Sequence, residues 1–151
     1  MHVCEFDASH LTWVFHETLS GSRDNVADAV ERIMSIIQEM PCAREHLDDV
    51  RLALTEALAN AVVHGNKEDP SKKVEVSGAC EAQEKLILVV TDEGEGFDPS
   101  SIPDPTVADN IYSAHGRGIF LINRTMCHAE YRLGGRQVIL RKKVSGGRAT
   151  V

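Results

Sequence analysis

Glu56-Ala57-Leu58-Ala59-Asn60-Ala61-Val62-Val63-His64-Gly65 is the stretch whose reading decides how this chain folds. Its polar residues stand at 56, 60 and 64, and steps of four put side chains on one stripe of a helix. Beside that stripe Leu47, Val50, Leu54, Leu58, Ala61 and Val62 form an apolar one, so the spacing predicts a helix over 44–64. A carboxylate, an amide and an imidazole flanking a core stripe suit a face turned to a ligand. A plain solvated face is the alternative while the stripe stands alone. Ala53 and Ala57 lie between the two stripes and are small enough to let a ligand approach the backbone. Gly65 or Asn66 suits a left-handed residue closing the helix.

Working outward, residues 12–19 (Thr-Trp-Val-Phe-His-Glu-Thr-Leu) are rich in β-branched and aromatic side chains and read as a strand. A Ser20-Gly21-Ser22 turn leads to a helix over 24–40 with Val26, Val30, Ile33 and Ile37 on one face, ended by Pro41. On the other side, 72–80 alternates through Val74, Val76 and Gly78, and 86–90 is a continuous apolar run covered on both faces. These two form a hairpin. Residues 93–118 carry glycines at 94, 96, 116 and 118 and prolines at 99, 103 and 105; a loop of that length is as a rule functional. A short helix over 119–126 and a hairpin of 129–133 with 137–142 across Gly134-Gly135 complete the chain. The order β-α-α-β-β-loop-α-β-β lacks the alternation of a doubly wound fold. The expected class is α/β in the broad sense: an α+β two-layer sandwich, its sheet mixed and largely antiparallel, its helices on one face. One domain, 1–144, is expected, with a mobile tail at 145–151.

Composition narrows the function. At 151 residues, 42% apolar and 26% charged, the chain can bury a core as a single domain. A net charge of -7 speaks against nucleic acid or an anionic membrane surface as direct partner. No run is long enough to span a membrane, and Glu5 and Asp7 spoil a signal peptide, so the expected location is cytoplasmic. Cys4, Cys42, Cys80 and Cys127 are widely spaced and read as reduced packing residues.

Three constellations can carry chemistry. On the helix, Asn60 offers a neutral oxygen suited to magnesium, and Glu56, one turn earlier, a general base. His64 either reaches a phosphate or finishes the helix. In Asp92-Glu93-Gly94-Glu95-Gly96-Phe97, a carboxylate ending a buried strand can accept a hydrogen bond from an exocyclic amine, and the glycines admit a flat base; an acidic turn is the alternative. In His115-Gly116-Arg117-Gly118-Ile119-Phe120-Leu121-Ile122, a glycine turn entering a helix presents N–H groups to an anion, with Arg117 adding charge; a capping turn is the alternative. Leu121 stands where a dinucleotide fingerprint needs its third glycine, and no Walker A loop is present.

Taken in order, these constellations resemble the Bergerat-fold, histidine-kinase-like ATP-binding family. Glu56-xxx-Asn60 is similar to its N box, Asp92-x-Gly94-x-Gly96 to its first glycine box and Gly116-x-Gly118 to its second. Within it the chain resembles the small stand-alone serine/threonine kinases that act as anti-sigma factors. The short span between glycine boxes, the helix 54–65, the turn 92–98 and the segment 118–126 carry that likeness.

The resemblance implies ATP and Mg2+ as cofactors. Glu56 would be the catalytic base toward a partner's hydroxyl and Asn60 the magnesium ligand. Asp92 would bind the adenine amine, with Gly94 and Gly96 shaping its pocket, and Gly116, Arg117 and Gly118 would hold phosphates under a small lid. The implied partners are a STAS-type anti-sigma antagonist and a sigma factor. Family members commonly pair through the sheet, and strand 12–19 is the edge such a homodimer would use. Two other readings accompany this one: a nucleotide-dependent module that sequesters a sigma factor or antagonist without phosphotransfer, and an ATPase piece of a larger assembly. The chain departs from the branch in three places: Arg117 and Ile119 in the second glycine box, Cys127-His128 where acidic residues are common, and 136–139 without a threonine.

Overall fold

The computed structural model describes residues 11–40, 42, 45–81, 85–96, 122, 126 and 128–143. Within them five strands and two α-helices follow one another as β1 (Leu11–Ser20), α1 (Asn25–Ile37), α2 (Leu47–Ala59), β2 (Lys73–Glu81), β3 (Lys85–Asp92), β4 (His128–Arg132) and β5 (Gln137–Lys143). The sheet order is β1-β2-β3-β5-β4. All four pairings are antiparallel, so among the described residues the sheet has no parallel component.

Helix α1 forms where the 3.6-residue period of Val26, Val30, Ile33 and Ile37 is free of proline and glycine, and it buries that stripe with Ala29 and Met34. Helix α2 buries Val50, Ala53, Leu54, Ala57 and Leu58. Both stripes meet Val74, Val76, Leu86, Leu88, Val90 and Leu140 in one core, so both helices lie on one face of the sheet. Each buried aliphatic side chain of this kind contributes roughly 1.5–3 kcal/mol. Among the described residues the opposite face carries a small cluster of Ala79, Ile87 and Ile139. Strand β3 is buried on both faces, as its unbroken apolar run requires.

Three expectations need correction. The second helix begins at Leu47 rather than at 44, and it leaves α-geometry at Asn60: Asn60–Gly65 is a π-helical turn, with the Asn66 N–H donating to the Ala61 carbonyl at 2.8 Å. Neither Gly65 nor Asn66 is left-handed; Asn66 has φ -83, and the two residues after it, Lys67 (φ 53) and Glu68 (φ 59), have positive φ. The wider turn moves the chain reversal two residues on. Finally, Cys42 and Cys80 form a disulfide, with Cα atoms 5.8 Å apart. Their 38-residue separation hides a proximity that arises only when the end of α1 is laid over β2. Cys4, Cys127 and the tail 145–151 lie outside the described residues, and of the expected helix 119–126 only Ile122 and Met126 lie within them. The Met126 N–H donates to the Ile122 carbonyl at 2.9 Å, the four-residue step of an α-turn. No described helix is long and apolar enough to cross a membrane.

Candidate functional site

The site is built where the π-helical turn meets the end of β3. One cleft is lined by Ala57, Asn60, Ala61, His64 and Gly65 from the helix, Val90 and Asp92 from β3, Gly96, Ile122, Tyr131, Gly135, Arg136 and Val138. A second cleft, on the other side of the helix, is lined by Arg23, Val26, Glu56, Ala59, Asn60, Val63 and His64. Asn60 and His64 line both, and Glu56 only the second. Ala57 reaches the first cleft as expected, whereas Ala53 is fully buried in the core and lines neither.

Asp92 anchors the far end of the first cleft. Its N–H donates to the Arg136 carbonyl at 2.9 Å, closing β3 onto the β4–β5 turn. Its Oδ1 accepts the Gly94 N–H at 2.8 Å. Burial raises its pKa above the ordinary carboxylate value, against the opposing pull of the Gly94 N–H, Arg136 and Lys72. Close approach explains two glycines: a Cβ on Gly65 would overlap the Asp92 carboxylate, and a Cβ on Gly94 would overlap the Gly65 carbonyl. Gly96 adopts φ +84, against the Gly134 carbonyl. Asn66 fastens the region from below. It is fully buried, its Nδ2 donates to the Lys73 carbonyl at 3.0 Å and its Oδ1 accepts the Glu93 N–H at 2.8 Å.

The structure therefore brings Asn60, Asp92 and Gly96 to one cleft and sets Glu56 across the helix from it, with Gly94 holding Asp92 from behind. Gly116, Arg117 and Gly118 lie outside the described residues. Sequence reasoning missed Gly65, Ile122, Tyr131, Arg136 and Val138 as lining residues, because they come from separate parts of the chain that meet only in the fold: Gly65 from the π-helical turn, Val138 through the pairing of β5 with β3, and Tyr131 through that of β4 with β5. Burial pushes the Tyr131 phenol up to about 12, so it stays a neutral donor. His64 has its pKa lowered by burial first and by the charge of Arg23 second.

The donor set fits a nucleotide. Ala57, Ala61, Val90, Ile122 and Val138 give apolar walls for a planar base, and the buried carboxylate at the end matches an exocyclic amine. It fits magnesium as well. Among the described residues no group of three His, Cys, Asp or Glu side chains is placed to hold a metal, and a cation that takes phosphate oxygens and waters needs little more than the Asn60 amide oxygen.

A family model described as the histidine kinase-like ATPase domain matches residues 19–142. The chain belongs to that family. It is similar to an anti-sigma F factor of Shouchella clausii, 29% identical over 78 residues, covering 52% of this chain and 53% of that protein. It is similar also to a serine-protein kinase RsbW of Bacillus licheniformis, 32% identical over 103 residues, covering 62% of each. The chain thus spans less than two thirds of either relative. Among solved structures it resembles that of the RsbU and RsbW domains of a Mycobacterium tuberculosis protein, with TM-score 0.59 and 16% identity over 86% of this chain and 31% of that one. At that identity the likeness concerns the fold alone.

Proposed function

We propose that this chain is an ATP-dependent serine/threonine protein kinase acting as an anti-sigma regulatory factor, with a small STAS-type antagonist as its phosphorylation substrate and a sigma factor as its regulatory partner. One observation carries the reading: Asn60 and His64 form a wall shared by two clefts, Asp92 stands in one and Glu56 in the other. ATP would lie with its adenine amine on Asp92 and its phosphates reaching Asn60. The second glycine turn, Gly116-Arg117-Gly118, would cover those phosphates. Asn60 would hold a magnesium ion, whose chemistry there would be to neutralise charge on those phosphates. Glu56 takes the proton of the acceptor hydroxyl as its oxygen bonds to the γ-phosphorus, and the bond to the β–γ bridging oxygen breaks to release ADP. Positioning and electrostatics supply most of the rate. A pure binding module has no use for a carboxylate beside the metal ligand, which favours the kinase.

The test is phosphate transfer from Mg-ATP to a candidate antagonist. Glu56→Ala is expected to lower the rate about 100- to 10,000-fold while ATP still binds, the usual worth of a general base. If wild type and variant are equally inert while both bind ATP, the kinase reading is wrong and the sequestering reading stands in its place.

A further inference from the structure

The second cleft holds a group that the phosphotransfer reading does not use. Arg23 lies in the turn between β1 and α1, fixed there because its carbonyl accepts the Val26 N–H at 3.1 Å. Among the described residues lining this cleft it alone carries a permanent positive charge, and it shares the cleft with Glu56 and Asn60. It does not line the first cleft, so it stands away from the end marked by Asp92.

The guanidinium is ion-paired with Glu68, Nη2 to Oε2 at 3.3 Å, and both side chains are exposed, 64% and 45%. Exposed pairs of this kind are weak and exchange readily with another carboxylate. Glu68 is brought to Arg23 by a backbone feature: Lys67 and Glu68 are successive left-handed residues, and the Glu68 N–H donates to the Val62 carbonyl at 2.8 Å. Consecutive left-handed residues without glycine are uncommon and persist where the surrounding structure holds them. The result is a cation at the cleft rim, occupied by a carboxylate of the chain itself and open to solvent.

We infer that Arg23 is a specificity-determining residue for the protein substrate: it binds an acidic side chain next to the acceptor serine or threonine, which displaces Glu68 as that segment enters the Glu56 cleft. The inference rests on the phosphotransfer reading for the acceptor's identity, and charge decides the rest. A hydroxyl segment approaching Glu56 on a protein of net charge -7 meets a favourable partner for its own carboxylate at Arg23. Arginine at a cleft rim supplies a planar, bidentate donor suited to that contact.

The experiment measures phosphorylation of a STAS-type antagonist by the full chain, with ATP affinity determined in parallel. Arg23→Ala is expected to raise KM for the antagonist about tenfold, the scale of a charged interface contact, and to leave the Kd for ATP unchanged. Glu68→Gln is expected to lower that KM about twofold, since it releases the guanidinium. Replacing by lysine the antagonist's acidic residue nearest its phosphorylated hydroxyl is expected to restore turnover with Arg23→Glu. A fall in kcat at constant KM, or weakened ATP binding, would show Arg23 acting on the nucleotide and overturn the inference; so would an Arg23→Ala variant with unchanged kinetics, or a Glu68→Gln variant impaired like Arg23→Ala. If the wild type transfers no phosphate, the same variants are titrated with the antagonist calorimetrically. A tenfold weaker complex for Arg23→Ala then upholds the docking role although the kinase reading has failed, and unchanged affinity or no complex overturns it.

Discussion

At the scale of the residue, Asp92 shows how a functional group is kept at a cost to the fold. Its pKa is raised, chiefly by burial, so the folded state holds the proton more tightly than the unfolded chain does. The sign follows: its contribution to stability is fully present below the ordinary carboxylate pKa and is lost as pH rises through the raised value. Once ionised, the carboxylate is therefore a buried charge held at a penalty. Asp92→Asn removes that charge and can keep the acceptor for the Gly94 N–H. The variant without nucleotide is expected to melt a few degrees above wild type at pH 7, with the gain vanishing in acid, where Asp92 is itself neutral. Its ATP affinity should fall about 10- to 100-fold, the worth of a hydrogen bond to a charged group. Calorimetric melting and titration across pH 4–8 check both signs; unchanged ATP affinity would undo the pocket assignment. The role proposed for Asp92 was legible in the sequence, since an acidic residue ending an apolar run beside two glycines is a local pattern. Arg23 was not, because only the folded turn sets it beside Glu56.

At the scale of the element, periodicity carried most of the fold, and it failed where a contact is not periodic. The positions of both helices and of the strands follow from stripes and alternations read along the chain. The π-helical turn does not, since a hydrogen bond from residue 66 to 61 leaves no mark in the spacing of apolar residues. Neither does the Cys42–Cys80 bridge, which joins the segment after α1 to β2. Closing a loop of that length is worth about 3–4 kcal/mol through the unfolded chain. Urea unfolding with and without reductant is expected to differ by that amount, and Cys42→Ala is expected to match the reduced protein. ATP affinity should be the same in all three, because neither cysteine lines a cleft. A bridge worth nothing, or one that alters nucleotide binding, would contradict this account.

At the scale of the molecule, the sheet ends in an edge that carries no further strand among the described residues. Among the described residues strand β1 pairs with β2 alone, and the register shifts between Trp13 and Phe15. Trp13 and Val14 are 54% and 43% exposed, the apolar side chains an edge strand normally avoids. Tryptophan is enriched where surfaces meet, and an edge with free N–H and C=O groups is a template for a second strand. The sequence pointed to this edge only through the family resemblance, because the strand pattern of 12–19 does not say which side of it stays unpaired. A homodimer through β1 is the arrangement expected, each copy covering the other's Trp13 and leaving the clefts beside α2 accessible. Trp13→Glu places a charge in that contact and should weaken self-association by about 2 kcal/mol or more, the scale of a buried aromatic anchor. Sedimentation velocity across a concentration series is the measurement, with ATP affinity as control for folding. A wild-type protein that stays monomeric at high concentration, or a Trp13→Glu variant that dimerises as well as wild type, would remove β1 from the interface.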